Sequence, residues 1–156
     1  MRKVLLILLL AGMNLLLAEE HAAKVVYDLT TKDLEKFERN ILKGIVVNKA
    51  HYESTLKEFD VTVVIHGGAY RFFTKDPENS IFKDDTALIK TYKDLAKRIA
   101  SMAKNYDVEF LMCGAAMPRN KLEAKDVYNF VKIIPNSTIG LIDRQNDGYA
   151  YIPVGN

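Results

Sequence analysis

Cys113 is the single cysteine in 156 residues and opens the segment CGAAMPR, directly after the apolar run VEFLM. A strand end followed by glycine and small residues lets backbone N–H groups converge on the sulfur. That favours the thiolate, and Arg119 adds positive charge six residues on. Thiolate is the form that attacks sulfur, so the chemistry on offer is sulfur exchange. The alternative is a buried, inert thiol, which is common for this residue type.

His66 stands at the end of a second apolar run, VTVVI, and is followed by Gly67-Gly68. An imidazole there would carry a proton, orient a ligand or polarise Cys113, or would simply be hydrogen-bonded at a strand end. The two glycines permit close approach of backbone to a ligand or serve a turn. A Cys–His–Asp hydrolase can be assembled from Cys113, His66 and an aspartate, without support from spacing. His21 and His51 fall at the end of an N-terminal leader and in a helical stretch, so no metal site is expected. The glycines match neither nucleotide-binding fingerprint, and no cofactor is expected. Tyr70, Phe72 and Phe73 offer an apolar wall over the site or a subunit contact.

The N-terminus reads as an export signal over residues 1–18. Arg2-Lys3 precede the apolar run Val4 to Leu10, and Leu15-Leu16-Leu17-Ala18 lead to Glu19-Glu20. The apolar stretch is shorter than the roughly 20 residues of a spanning helix. Cleavage after Ala18 would leave residues 19–156 as one exported domain in a bacterial periplasm, free of the membrane; an uncleaved anchor is the alternative. The formal charge of +2 resides in the leader: without it, twenty basic and twenty acidic residues remain. A neutral domain has no global field for nucleic acid, and no nucleic-acid partner is expected. A lone thiol in a disulfide-permissive compartment is either sealed in the core or used.

These residues need elements to hold them. AKVVYDL (23–29) predicts a buried strand. Thr30 with Asp33 suggests a capping box opening a helix over most of 32–54, whose stripe is Leu34, Phe37, Ile41, Ile45 and Tyr52, with Asn48 on it and Asn40 towards its edge. After the strand at 61–65 comes a long connection, then an amphipathic helix with Leu88, Tyr92, Leu95, Ile99 and Met102 on its apolar side. Strand 108–112, a short helix within 122–130, strand 131–134, an Asn136-capped helix ended by Gly148, and strand 149–154 with Pro153 near an edge complete the chain. Such alternation predicts an α/β domain, a mainly parallel five-stranded sheet with helices on both faces. Ligands of open parallel sheets bind outside the carboxyl ends of the strands, where His66 and Cys113 are expected.

The segments VVIHGGA from Val63, EFLMCGAAM from Glu109 and IGLIDRQNDGYAYIP from Ile139, in this order and spacing, resemble the DsrE/DsrF-like family of sulfur-relay proteins, in an exported, stand-alone form. The resemblance covers roughly residues 24–154. It implies a five-stranded parallel domain assembled as homotrimers or hexamers, with sulfur carried as a cysteine persulfide and passed to a partner. By motif, Cys113 would carry the persulfide. His66-Gly67, Gln145 and Asn40 match recurrent family positions, and Gly114 and Arg119 would support the sulfur anion. The expected function is a periplasmic sulfur carrier with unidentified donor and acceptor proteins. The rival is a non-catalytic oligomer that binds a small ligand, with Cys113 lining the pocket.

Overall fold

The computed structural model describes residues 22–156, so the signal peptide expected over residues 1–18 lies outside the described residues. Five strands form one sheet: β1 (Ala23–Leu29), β2 (Phe59–Ile65), β3 (Val108–Cys113), β4 (Val131–Ile134) and β5 (Ala150–Val154). Their order is β4-β3-β2-β1-β5 and every pairing is parallel. The central strands are the most apolar, because a parallel strand is covered on both faces; β2 is buried at every position except Asp60.

Helix α1 (34–54) and helix α2 (Thr86–Asn105) cover one face. Their apolar sides, Phe37, Ile41 and Ile45 from α1 and Leu88, Leu95, Ile99 and Met102 from α2, enter the main core. Helix α3 (Ser137–Asn146) lies on the other face over Val26, Val64 and Leu111. Handedness accounts for the split. The chain steps from β1 to β2 to β3 in one direction, and the connection from β4 returns across the whole sheet to β5. A right-handed crossover that reverses direction must place its helix on the opposite face. Gly140 lets α3 settle there, since a Cβ at this position would meet Ile134 Cδ1 at 2.4 Å and Val64 Cγ2 at 3.6 Å.

Several local expectations give way to packing. The first helix is capped by Asp33, whose carboxylate accepts from the Lys36 N–H at 3.0 Å, rather than by a Thr30 box. Within α1, Glu38–Lys43 is a π-helical segment. A spacing of four residues overshoots an ideal α-helical face by about 40° at each step. The wider turn absorbs that excess and keeps Phe37, Ile41 and Ile45 inward. Asn48 is largely exposed, but its side chain bonds the hydroxyl of the core residue Tyr27, at the margin of the stripe. The short helix expected within 122–130 is only a 3-10 turn, Ala124–Asp126, because this stretch folds onto the core through Leu122 and Val127. Tyr70, Phe72 and Phe73 are core residues of the described domain, and of the three only Tyr70 reaches Cys113. They lie on the 3-10 segment Gly67–Phe73, all at most 2% exposed, with Phe72 stacked on Phe37 at 4.5 Å.

Candidate functional site around Cys113

Cys113 ends β3, where its carbonyl-side neighbour Gly114 begins a 3-10 turn, Gly114–Ala116. The chain leaving β3 turns towards the α1/α2 face through Met117 and Leu122, whereas the chain leaving adjacent β4 turns to the other face and enters α3. Neighbouring connections that diverge in this way mark the topological switch point of a parallel sheet, at its carboxyl edge, and Cys113 lies there. Gly114 is required for the closure: a Cβ there would lie 2.9 Å from the Ile134 carbonyl oxygen, and the Ala115 N–H donates to the Pro135 carbonyl at 3.1 Å.

Cys113 is 5% exposed. Burial pushes its thiol up, but the donor groups around it, the Ser137 amide, the Tyr70 hydroxyl, the Ala116 amide and the Ser137 hydroxyl, outweigh burial. The pKa is held below that of an ordinary cysteine. Ser137 opens α3 after the Asn136 cap, whose side chain accepts from the Ile139 N–H at 2.9 Å. Its own N–H is one of the amides that a first helical turn leaves free, and the positive end of the helix dipole favours the thiolate. The Tyr70 hydroxyl, beside the sulfur, places its one proton on the Cys113 carbonyl oxygen at 2.5 Å. Burial and the proximity of Cys113 push the phenol well above its usual range, so Tyr70 stays a neutral donor.

One strand over, His66 Nε2 meets Asp28 Oδ1 at 2.6 Å, and the Tyr151 hydroxyl donates to Asp28 Oδ2 at 2.6 Å. This Tyr151–Asp28–His66 chain runs across β5, β1 and the end of β2. A cysteine hydrolase needs an imidazole bonded to the sulfur itself. Here the imidazole is bonded to Asp28, while amides and hydroxyls serve the sulfur.

The other expected residues divide by position. Gly67, at φ +59°, and Gly68 press against the Thr30–Lys32 turn after β1, where a Cβ on Gly68 would meet Lys32 Cβ at 2.8 Å. Arg119 is exposed on the Pro118–Asn120 turn, close enough to Tyr70 to bear on its hydroxyl. Asn40 bonds the Lys36 carbonyl at 2.8 Å within the π segment of α1, on the opposite face of the sheet from α3. Gln145 is exposed at the far end of α3, about 12 Å along the axis from Ser137. At that amino edge Glu109 binds Arg144 and Lys132. Burial would raise its carboxyl, and these two cations hold it below the usual range. Among the described residues no three His, Cys, Asp or Glu side chains gather in a metal-holding group.

Asp28, Ser137, and Tyr70 in a donor role escape a reading of sequence alone. The available signals were faint: an aspartate inside an otherwise apolar strand, where that residue is disfavoured, and a serine just behind a capping asparagine.

Fold and site define a class: single-domain parallel α/β proteins with a cysteine at the switch point of the sheet. The DsrE/DsrF-like family model matches residues 39–154, and the chain belongs to this family. It is 31% identical over 107 residues to an uncharacterized protein of Aquifex aeolicus (strain VF5). The match takes in 64% of this chain and 47% of that protein, so the chain spans about half the length of the curated relative. Among solved structures it is similar to a protein of unknown function from Methanobacterium thermoautotrophicum. The TM-score is 0.57 at 18% identity, over 84% of this chain and 98% of that one, a likeness of fold alone.

Proposed function

We propose that this protein is an exported, periplasmic sulfur carrier that holds sulfane sulfur as a persulfide on Cys113 and passes it to an acceptor. The observation that carries this reading is the Cys113 thiol at the switch point, held towards thiolate by amide and hydroxyl donors. Family membership supports it. In loading, the thiolate attacks a terminal sulfur of a polysulfide. A bond from Sγ to that sulfur forms, one polysulfide S–S bond breaks, and the shortened polysulfide departs as an anion, with no external oxidant or reductant. The donors that stabilise the thiolate also suit the anionic outer sulfur.

Intact-protein mass spectrometry after exposure to polysulfide tests the proposal. The expected result is addition of sulfur at Cys113 and none in Cys113→Ser; absence of an adduct on an accessible thiol overturns it. The low exposure of Cys113 favours one rival, a small-ligand-binding protein with Cys113 as lining. In that case Cys113→Ser leaves ligand binding intact. The carrier is further proposed to be a homotrimer or hexamer, a reading supported by the exposed apolar residues Ile139 and Ile142 on α3 and Tyr151 and Ile152 on β5.

A further inference from the structure

We infer that His66, oriented by Asp28 and Tyr151, is the base that ionises the acceptor thiol when sulfur leaves Cys113. The inference rests on the sulfur-carrier reading.

Three observations carry it. First, the sulfur needs no imidazole of its own, because the Ser137 and Ala116 amides and two hydroxyls already favour its anion. The thiol that lacks a base is the incoming one. An acceptor thiol of ordinary pKa is mostly protonated at neutral pH and attacks sulfur only as thiolate. Second, the position is right. Ile65 pairs with Met112, so His66 and Cys113 each follow the last paired residue on adjacent strands, whose backbones run about 4.8 Å apart. His66 continues the alternation of Val64 on the α3 face, while Cys113, packed with the main core, meets the first turn of α3 through Ser137. Third, the imidazole is held. The Asp28 carboxylate bridges Nε2 and the Tyr151 hydroxyl with two 2.6 Å bonds, leaving Nδ1 as the second ring nitrogen. Asp28 is 15% exposed and His66 27% exposed, so the ring is open to solvent while its carboxylate is shielded. A carboxylate on one imidazole nitrogen fixes the tautomer and the orientation of the ring. Asp28 and Tyr151 are therefore positioning residues.

The step balances. The anionic persulfide first takes a proton from solvent to become Cys113–S–SH; His66 takes the proton of the acceptor R–SH, and the resulting thiolate attacks the outer sulfur of Cys113–S–SH. The new R–S–SH bond forms, the Sγ–S bond breaks, and Cys113 leaves as the thiolate that its amide donors stabilise. Imidazolium and thiolate remain, and loss of one proton to solvent restores His66.

The test uses the full-length protein loaded with polysulfide and follows sulfur transfer to small thiols at neutral pH. With 2-mercaptoethanol, His66→Ala is expected to load normally and to transfer about a hundredfold more slowly. Added imidazole should restore the rate, and Asp28→Asn and Tyr151→Phe should each slow transfer by less. With an acidic aromatic thiol, already ionised, His66→Ala should transfer as fast as the parent. His66→Gln supplies the same comparison if the alanine variant does not fold. Parent-like transfer to 2-mercaptoethanol by either variant overturns the inference, as does a slow rate that imidazole leaves unchanged or that persists with the ionised acceptor. Failure of the parent protein to take up sulfur instead overturns the carrier reading, and the role of His66 falls with it.

Discussion

Acidity at Cys113 is a contest between burial, which favours the neutral thiol, and donors that favour the anion; the donors win. A hydrogen bond to a charged group contributes about 1.5 kcal/mol or more, and 1.36 kcal/mol corresponds to one pKa unit. Removing the Ser137 hydroxyl (Ser137→Ala) or the Tyr70 hydroxyl (Tyr70→Phe) is therefore expected to raise the thiol pKa by roughly one unit each. Titration by thiolate ultraviolet absorbance reads this directly. The parent midpoint should fall below that of an ordinary cysteine and both variants should move back towards it, so the thiolate present at neutral pH declines. Midpoints that coincide with the parent's would contradict the assigned donors. Cys113 and His66 stood out in the sequence because residues of their type at strand ends are rare. Ser137 and Asp28 did not, because their partners lie far along the chain, 24 and 38 residues away from Cys113 and His66 respectively.

Among the elements, α3 does the most for the site. Its first turn meets the sulfur, and its last turn is fastened to the sheet by Arg144 on Glu109, with the Arg144 guanidinium over the Tyr149 ring at 5.4 Å. The helix is thus held at both edges of the sheet, and Gly140 fixes its distance from the strands between. Gly114 controls how closely the β4–α3 connection approaches Cys113. Gly114→Ala would place a methyl against backbone that cannot rotate away, for a loss of about 1–3 kcal/mol. Because the shift also withdraws Ser137, the thiol pKa should rise in the same variant. Denaturant unfolding combined with thiol titration checks both, and a destabilised protein with an unchanged thiol would separate the two effects. The order of the elements and most of their bounds were legible in apolar patterning and capping residues. The π segment of α1 and the loss of the 122–130 helix were not, since both follow from fitting the core rather than from local preference.

Across the whole molecule the two faces of the sheet are unequally covered. Two helices and the folded connection after β2 bury one face in a large core, while α3 alone lies over the other. Ile139 and Ile142 remain 43% and 49% exposed on α3, and Tyr151 is 44% exposed on the β5 edge. A subunit seated there would cover them. Ile139→Asp and Ile142→Asp are expected to shift a trimer or hexamer to smaller species in sedimentation with unchanged circular dichroism; a parent protein already monomeric at micromolar concentration rules the assembly out. The sequence by itself determined the parallel α/β class and the carboxyl-edge location of Cys113 and His66, because strand period, helical period and capping are local and are written in consecutive residues. Only the tertiary structure decided that Cys113 lies at the switch point under α3, that His66 belongs to a Tyr151–Asp28 chain, and that Asn40 and Gln145 lie elsewhere. Those relations depend on strand order and crossover direction, which bring together residues more than a hundred positions apart.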